Sequence, residues 1–136
     1  MLANLNLGLF NEHSYTEDED LKSFATQTIN DDPQLDPKVP FEEGTISFAG
    51  SGPNSRTTHL FISYTSTNEH FGTTDWETPV GTIVNGMDVV KKLNSSYGDM
   101  PPWGNGPVQH KISTLGRRYI DEEFPNLDEI ISCNIV

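Results

Sequence analysis

Between residues 44 and 62 the chain reads as two short strands joined by a loop that no regular element can absorb. Thr45-Ile46-Ser47-Phe48-Ala49 and His59-Leu60-Phe61-Ile62-Ser63-Tyr64 are rich in β-branched and aromatic side chains. Gly50-Ser51-Gly52-Pro53-Asn54-Ser55 between them is built from turn formers. Gly supplies left-handed backbone, Pro fixes φ, and Asn and Ser bond to nearby backbone, so such a loop takes one irregular path. Functional groups often sit on loops of this kind. Further on, Val80-Gly81-Thr82-Ile83-Val84 reads as a strand, and Asn85-Gly86 as a turn into a helix over 87–95, with Met87, Val90 and Leu93, or Val89 and Leu93, on one face. Strands near 45–49, 59–64 and 80–84, a second helix over 112–123 and a last strand over 130–136 predict a mainly β fold, a small antiparallel barrel with two helices as plugs.

The 136 residues suffice for one domain with its own core and are too few for two. Only 34% of them are hydrophobic, so that core must be economical. The net charge of −12 is lopsided: residues 1–43 contribute −8 and residues 44–136 contribute −4. Nucleic-acid affinity comes from Lys and Arg, so an acidic surface argues against a phosphate-backbone partner and against anionic membranes. No run approaches the roughly 18 apolar residues of a membrane span, so no membrane insertion is expected. Residues 1–10 lack the basic start and apolar core of a signal peptide, and the compartment stays open.

Outside the central stretch the signals are weaker. Residues 2–10 alternate like a half-buried strand, and the acidic run at 17–20 reads as a solvated segment. Residues 21–29 suggest a strand, and 30–43, with three prolines and five acidic residues, an irregular surface segment. Cys133, the sole cysteine, reads as a small buried hydrophobe in the apolar run 130–136. His13 and His110 have no metal-ligand company, so neither a metal nor a cofactor is expected. A cation site formed by residues 17–20 with Asp31 and Asp32 is a distant reading, since calcium-loop spacing is missing.

Taken in order, these features resemble cyclophilin-type peptidyl-prolyl isomerases. The resemblance is carried by Phe24-Ala25-Thr26-Gln27, by the Gly-Pro-Asn loop with Asn54-Ser55-Arg56-Thr57-Thr58, by Val80-Gly81 and by Gly86-Met87-Asp88. Gly104-Asn105-Gly106-Pro107, Gly116 and Phe124-Pro125-Asn126-Leu127-Asp128 extend it to the C-terminal part. It implies a closed antiparallel barrel capped by a helix at each end. A complete cyclophilin places a hairpin, a helix and further strands before its counterpart of Gln27, and only 26 residues precede Gln27 here. The barrel is therefore expected to be incomplete at its N-terminus, with an edge that a partner chain could complete. The corresponding domain map is an acidic, poorly matching segment over 1–43, part of the barrel from about residue 24, and a cyclophilin-like domain over 44–136.

Prolyl isomerisation needs no nucleophile, metal or cofactor; its barrier of about 20 kcal/mol is amide resonance, lost as the C–N bond twists. The resemblance implies that Phe24 and Phe61 wall the proline pocket. Phe71 joins them where leucine is usual, and Ala25 where a larger methionine is common. Gln27 matches a substrate-binding glutamine. Ala49 and Gly50 match the pair whose backbone holds the peptide like an added strand, and His59 replaces a second glutamine. Glu77 falls near a pocket histidine, while His70 and Trp76 are open alternatives for a tryptophan. At the position of the catalytic arginine, eight residues before Gln27, stands Glu19. A carboxylate accepts hydrogen bonds and cannot donate one to the prolyl nitrogen. The expected function is binding of Xaa-Pro peptides with weakened isomerase activity; the alternative is a non-catalytic proline-peptide-binding or scaffold subunit. Arg56 reads as a loop anchor, and Phe48, Phe61 and Ile62 would equally suit the core of any β protein.

Overall fold

The computed structural model describes residues 19–33, 38–65 and 71–134. They form α1 (Glu19–Thr26), β1 (Thr45–Phe48), β2 (Leu60–Ile62), β3 (Pro79–Thr82), α2 (Met87–Val90), α3 (Gln109–Leu115) and α4 (Arg117–Glu123). The strand expected over 2–10, His13, His70 and residues 17 and 18 of the acidic run lie outside the described residues. The chain divides into two compact units, with Ala25–Lys91 in the first and Lys92–Val136 in the second; the division passes through α1, between Phe24 and Ala25. Among the described residues no helix is long and apolar enough to cross a membrane.

In the first unit β1 is the central strand. It pairs antiparallel with β2, Ser47 opposite Phe61, and on its other side with β3, giving the order β2-β1-β3. Ile46 faces Gly81 and Ser47 faces Pro79, so Val80 is the extra residue of a bulge and is half exposed. Pro79 has no N–H to donate, which a strand paired on one side tolerates. The ladder continues beyond the strands, with the Gly44 N–H donating to Ser63 O (2.8 Å) and the Ile83 N–H to Gly44 O (2.9 Å). All three strands fall within a residue of the runs expected near 45–49, 59–64 and 80–84. The described residues form this three-stranded sheet and do not close it into a barrel.

Small polar side chains take part in the burial. Ser47 is fully buried, and its hydroxyl donates to Thr78 O at 3.1 Å. A serine suits that position because Phe61, also buried, stands opposite it. Phe41, Phe61, Ile62 and Ala25 supply the apolar core of this unit. At its far end the Tyr64 hydroxyl donates to Val90 O of α2 (3.0 Å).

Four expectations are corrected. Residues 19–26 form a helix where 21–29 suggested a strand. Glu19 and Asp20 put negative charge in its first turn, and every residue from Glu19 to Ala25 is unbranched at Cβ, which favours helix over strand. The helix over 87–95 stops at Val90. Past it Asn94 turns the chain, its Oδ1 accepting from the Ser96 N–H (2.9 Å) and hydroxyl (2.7 Å). The helix over 112–123 is two helices, α3 and α4, broken at Gly116 (φ 61°, ψ −149°). Finally, residues 130–134 form no strand; Ile131 is 92% exposed and Cys133 is exposed, not buried.

The second unit is held by rings. Tyr119 and Phe124, both buried, meet edge to face at 5.3 Å, and Tyr97 packs edge-on against Phe124 at 5.1 Å. Such pairs add about 1 kcal/mol each beyond area burial. The Val108 N–H donates to the Tyr119 hydroxyl oxygen (3.2 Å) at the start of α3.

Candidate functional site

The loop between β1 and β2 is fixed from within and from outside. Within it, the Ser55 hydroxyl donates to Gly52 O (2.6 Å) and its oxygen accepts from the Ser51 N–H (2.7 Å). From outside, Asp31 and Asn54 exchange bonds: the Asp31 N–H donates to Asn54 Oδ1 (3.0 Å), and the Asn54 N–H to Asp31 Oδ2 (2.8 Å). The Ile29 N–H donates to Arg56 O (2.7 Å) as a single antiparallel bridge.

Arg56 completes this clamp. Its side chain is 0% exposed, Nη1 donates to Asp32 Oδ2 (2.8 Å), and Nη2 donates to Asn30 O. Nε lies 3.5 Å from Asp31 Oδ1, an ionic contact longer than a good hydrogen bond. The guanidinium also stands 5.7 Å from the centre of the Phe48 ring. A guanidinium so deep needs its carboxylates, since an unpaired buried charge is costly. Asp31 and Asp32 are thereby committed to Arg56. Among the described residues no group of three or more ligating side chains could hold a metal ion.

Several of the expected site residues meet in the first unit. Ala49 and His59 face one another where β1 and β2 open into the loop, the Ala49 N–H donating to His59 O (2.8 Å). Burial holds the His59 imidazole below its ordinary pKa, favouring the neutral ring. Gly50 follows, and Trp76 leans on it. A Cβ added there would lie 2.9 Å from Trp76 Cδ1 and 3.2 Å from Ser55 Oγ, so only glycine lets the indole so close. Phe61 and Phe71 touch, with ring centroids 5.0 Å apart and planes tilted by 36°. Glu77 shapes its own loop, its Oε2 accepting from the Gly72 N–H (3.2 Å) and its own N–H donating to Thr74 O (3.2 Å).

The remaining candidates sit on or just after α1. Ala25 is buried and its carbonyl accepts from the Thr58 hydroxyl (3.4 Å). Phe24, one residue earlier and so about 100° around the helix, is 63% exposed. Gln27 is exposed, and Glu19 is the first residue of the helix.

Two contributions escaped the sequence reading: Phe41 joins the Phe61–Phe71 ring pair, and the Asp31-Asp32 pair anchors Arg56. Trp76, an open alternative for a tryptophan in the sequence, covers Gly50. One signal was available for the aspartate pair: Arg56 is the only arginine before residue 117, and two adjacent aspartates can satisfy it. No periodicity points to Phe41 or Trp76, because both lie on irregular chain.

Comparison with known proteins adds the family. Neither the curated proteins nor the solved structures give a significant match. The model of the family described as cyclophilin type peptidyl-prolyl cis-trans isomerase/CLD matches residues 5–116. That span begins earlier than the motifs from Phe24 onward and ends at Gly116, before α4. It contains β1, the clamped Gly-Pro-Asn loop, β2 and β3, and with most of its length matched in this way the chain belongs to the cyclophilin-type peptidyl-prolyl cis-trans isomerase family.

Proposed function

We propose that this chain binds Xaa-Pro peptides beside Ala49 and Gly50, at the loop end of β1, and isomerises them weakly. The observation that carries the reading is the state of Arg56. It is the only arginine in Ala25–Lys91, and it is fully buried on Asp31 and Asp32. The other two, Arg117 and Arg118, belong to the second unit, where each pairs with nearby carboxylates. Glu19 stands where the family's arginine is expected. Without a donor aimed at the prolyl nitrogen, the twisted amide loses its main stabilisation, and one missing preorganised donor costs on the order of 10² to 10³ in rate.

Binding depends less on that donor. Among the described residues no hydrogen bond reaches the backbone of Gly50, so its N–H and C=O are available to an extended peptide. Phe71, half-buried against the buried ring of Phe61, offers an apolar wall, and neutral His59 keeps one N–H to donate. Ala25 and Gln27 are assigned to the same peptide by resemblance.

The second reading, a non-catalytic proline-peptide or scaffold subunit, rests on the same buried arginine. It also draws on β3, which pairs with a single strand among the described residues and could take a partner chain's strand. A proline-peptide turnover assay on the wild type and on Glu19→Arg separates the two. Weak catalysis predicts a wild-type rate at least about 100-fold below an ordinary cyclophilin and a rise of about tenfold in Glu19→Arg. Wild-type turnover within about tenfold of an ordinary cyclophilin refutes the weakness. Peptide binding with no turnover in either protein selects the scaffold.

A further inference from the structure

Phe41 has no role in the reading above, yet it is the third ring of the cluster begun by Phe61 and Phe71. Its plane lies 9° from that of Phe61 with centroids 5.8 Å apart, and it tilts 38° against Phe71, also at 5.8 Å. It is 6% exposed, although Val39, Pro40 and Glu42 beside it are exposed and residues 38–42 form no regular element. Among the described residues no hydrogen bond holds Lys38 to Phe41; the backbone is tied down only from Glu42, whose N–H donates to Thr45 Oγ1 (2.9 Å) and whose carbonyl accepts from the Thr45 N–H (3.1 Å). Opposite the ring stands Gly72, where a Cβ would come within 2.7 and 2.8 Å of Phe41 Cδ2 and Cε2, and where φ is +70°. The loop leaves a slot for this ring, and a side chain at 72 would close it.

We propose that Phe41 is an internal occupant of the apolar pocket, and that residues 38–41 are a strap which a proline peptide must displace. The inference rests on the preceding reading, in which Phe61 and Phe71 wall the proline pocket. A phenyl ring and a pyrrolidine ring compete for one face of Phe61, so each molecule with the strap seated is closed to substrate. Apparent affinity falls by the fraction of open molecules, and a strap closed about ten to one weakens binding about tenfold. Swinging 38–41 outward breaks ring contacts and no ladder hydrogen bond, so the sheet can stay intact.

The test titrates a blocked Ala-Pro peptide into full-length wild type, Phe41→Ala and Phe41→Leu, following backbone amides by NMR. The strap predicts that the Ala49 and Gly50 amides respond in all three proteins. Binding should tighten about tenfold in Phe41→Ala and to a smaller degree in Phe41→Leu, where a branched side chain half fills the slot. If those amides respond and the dissociation constants agree within about twofold, the strap is refuted while the pocket reading survives. If they respond in none of the proteins, the pocket reading fails and the strap falls with it. Should Phe41→Ala not fold, Phe41→Leu decides; a Phe41→Leu protein that also cannot fold makes Phe41 an obligatory core ring and overturns the proposal.

Discussion

The two units use their arginines in opposite ways. In the sheet unit, Arg56 is 0% exposed and holds the Gly-Pro-Asn loop to residues more than twenty positions earlier. In the helical unit, Arg117 and Arg118 reach four residues along α4 to Asp121 and Glu122, with 44% and 83% of their own side chains exposed. The lesson is that a cation becomes an organiser of the fold only when burial denies water as an alternative. Exposed pairs in the same acidic chain decorate a helix and are worth a few tenths of a kcal/mol. The buried one ties the loop that follows Ala49 and Gly50 to residues 29–32.

The contrast can be broken most sharply at Arg56. Arg56→Ala leaves Asp31 short of its ionic partner and empties the space beside Phe48, and a loss of about 3 kcal/mol in chemical denaturation is expected. A loss under about 1 kcal/mol would put Arg56 in the same class as the surface pairs. Next comes Gly50→Ala. Its Cβ forces Trp76 aside, so about 2 kcal/mol of destabilisation should accompany a changed tryptophan fluorescence spectrum. Arg118→Ala is the control from the other unit, with a loss of at most about 0.5 kcal/mol that shrinks further in high salt.

The smallest effect is a pH dependence at His59. Burial lowers its pKa in the folded protein, so the unfolded chain takes up the proton first as pH falls. Stability from this residue is complete above the unfolded value of about 6.5 and declines as pH drops below it. Replacing His59 with glutamine should remove that part of the slope, visible as a smaller drop in Tm between neutral pH and pH 5.

These predictions also mark what could be read from the sequence. The strands and the loop between them were legible because their signals are local: β-branched and aromatic runs, then Gly, Pro, Asn and Ser. Helix α1 was misread because Phe24, Thr26, Thr28 and Ile29 look like strand material, whereas the acidic first turn and the unbranched side chains of 19–25 decide for helix. The long helix over 112–123 missed its break because Gly116 is tolerated in helices, and only its backbone angles reveal the turn. Arg56 was legible as a loop anchor, but its partners were not, since pairing across that distance leaves no periodic trace. Phe41 and Trp76 act from irregular segments, where nothing in the order of residues says which ring turns inward. Cys133 was misplaced because an apolar run at 130–136 suggested burial that the described residues do not provide.

The central claim is that a proline-peptide site survives beside Ala49 and Gly50 although the only guanidinium of that unit is locked away. Its most direct test is a map of backbone-amide shifts as a blocked Ala-Pro peptide is added to the wild-type protein. The account predicts saturable shifts at Ala49, Gly50 and His59, with residues 109–123 of α3 and α4 unmoved. Shifts confined to those helices, or none at Ala49 and Gly50 at millimolar peptide, would contradict it.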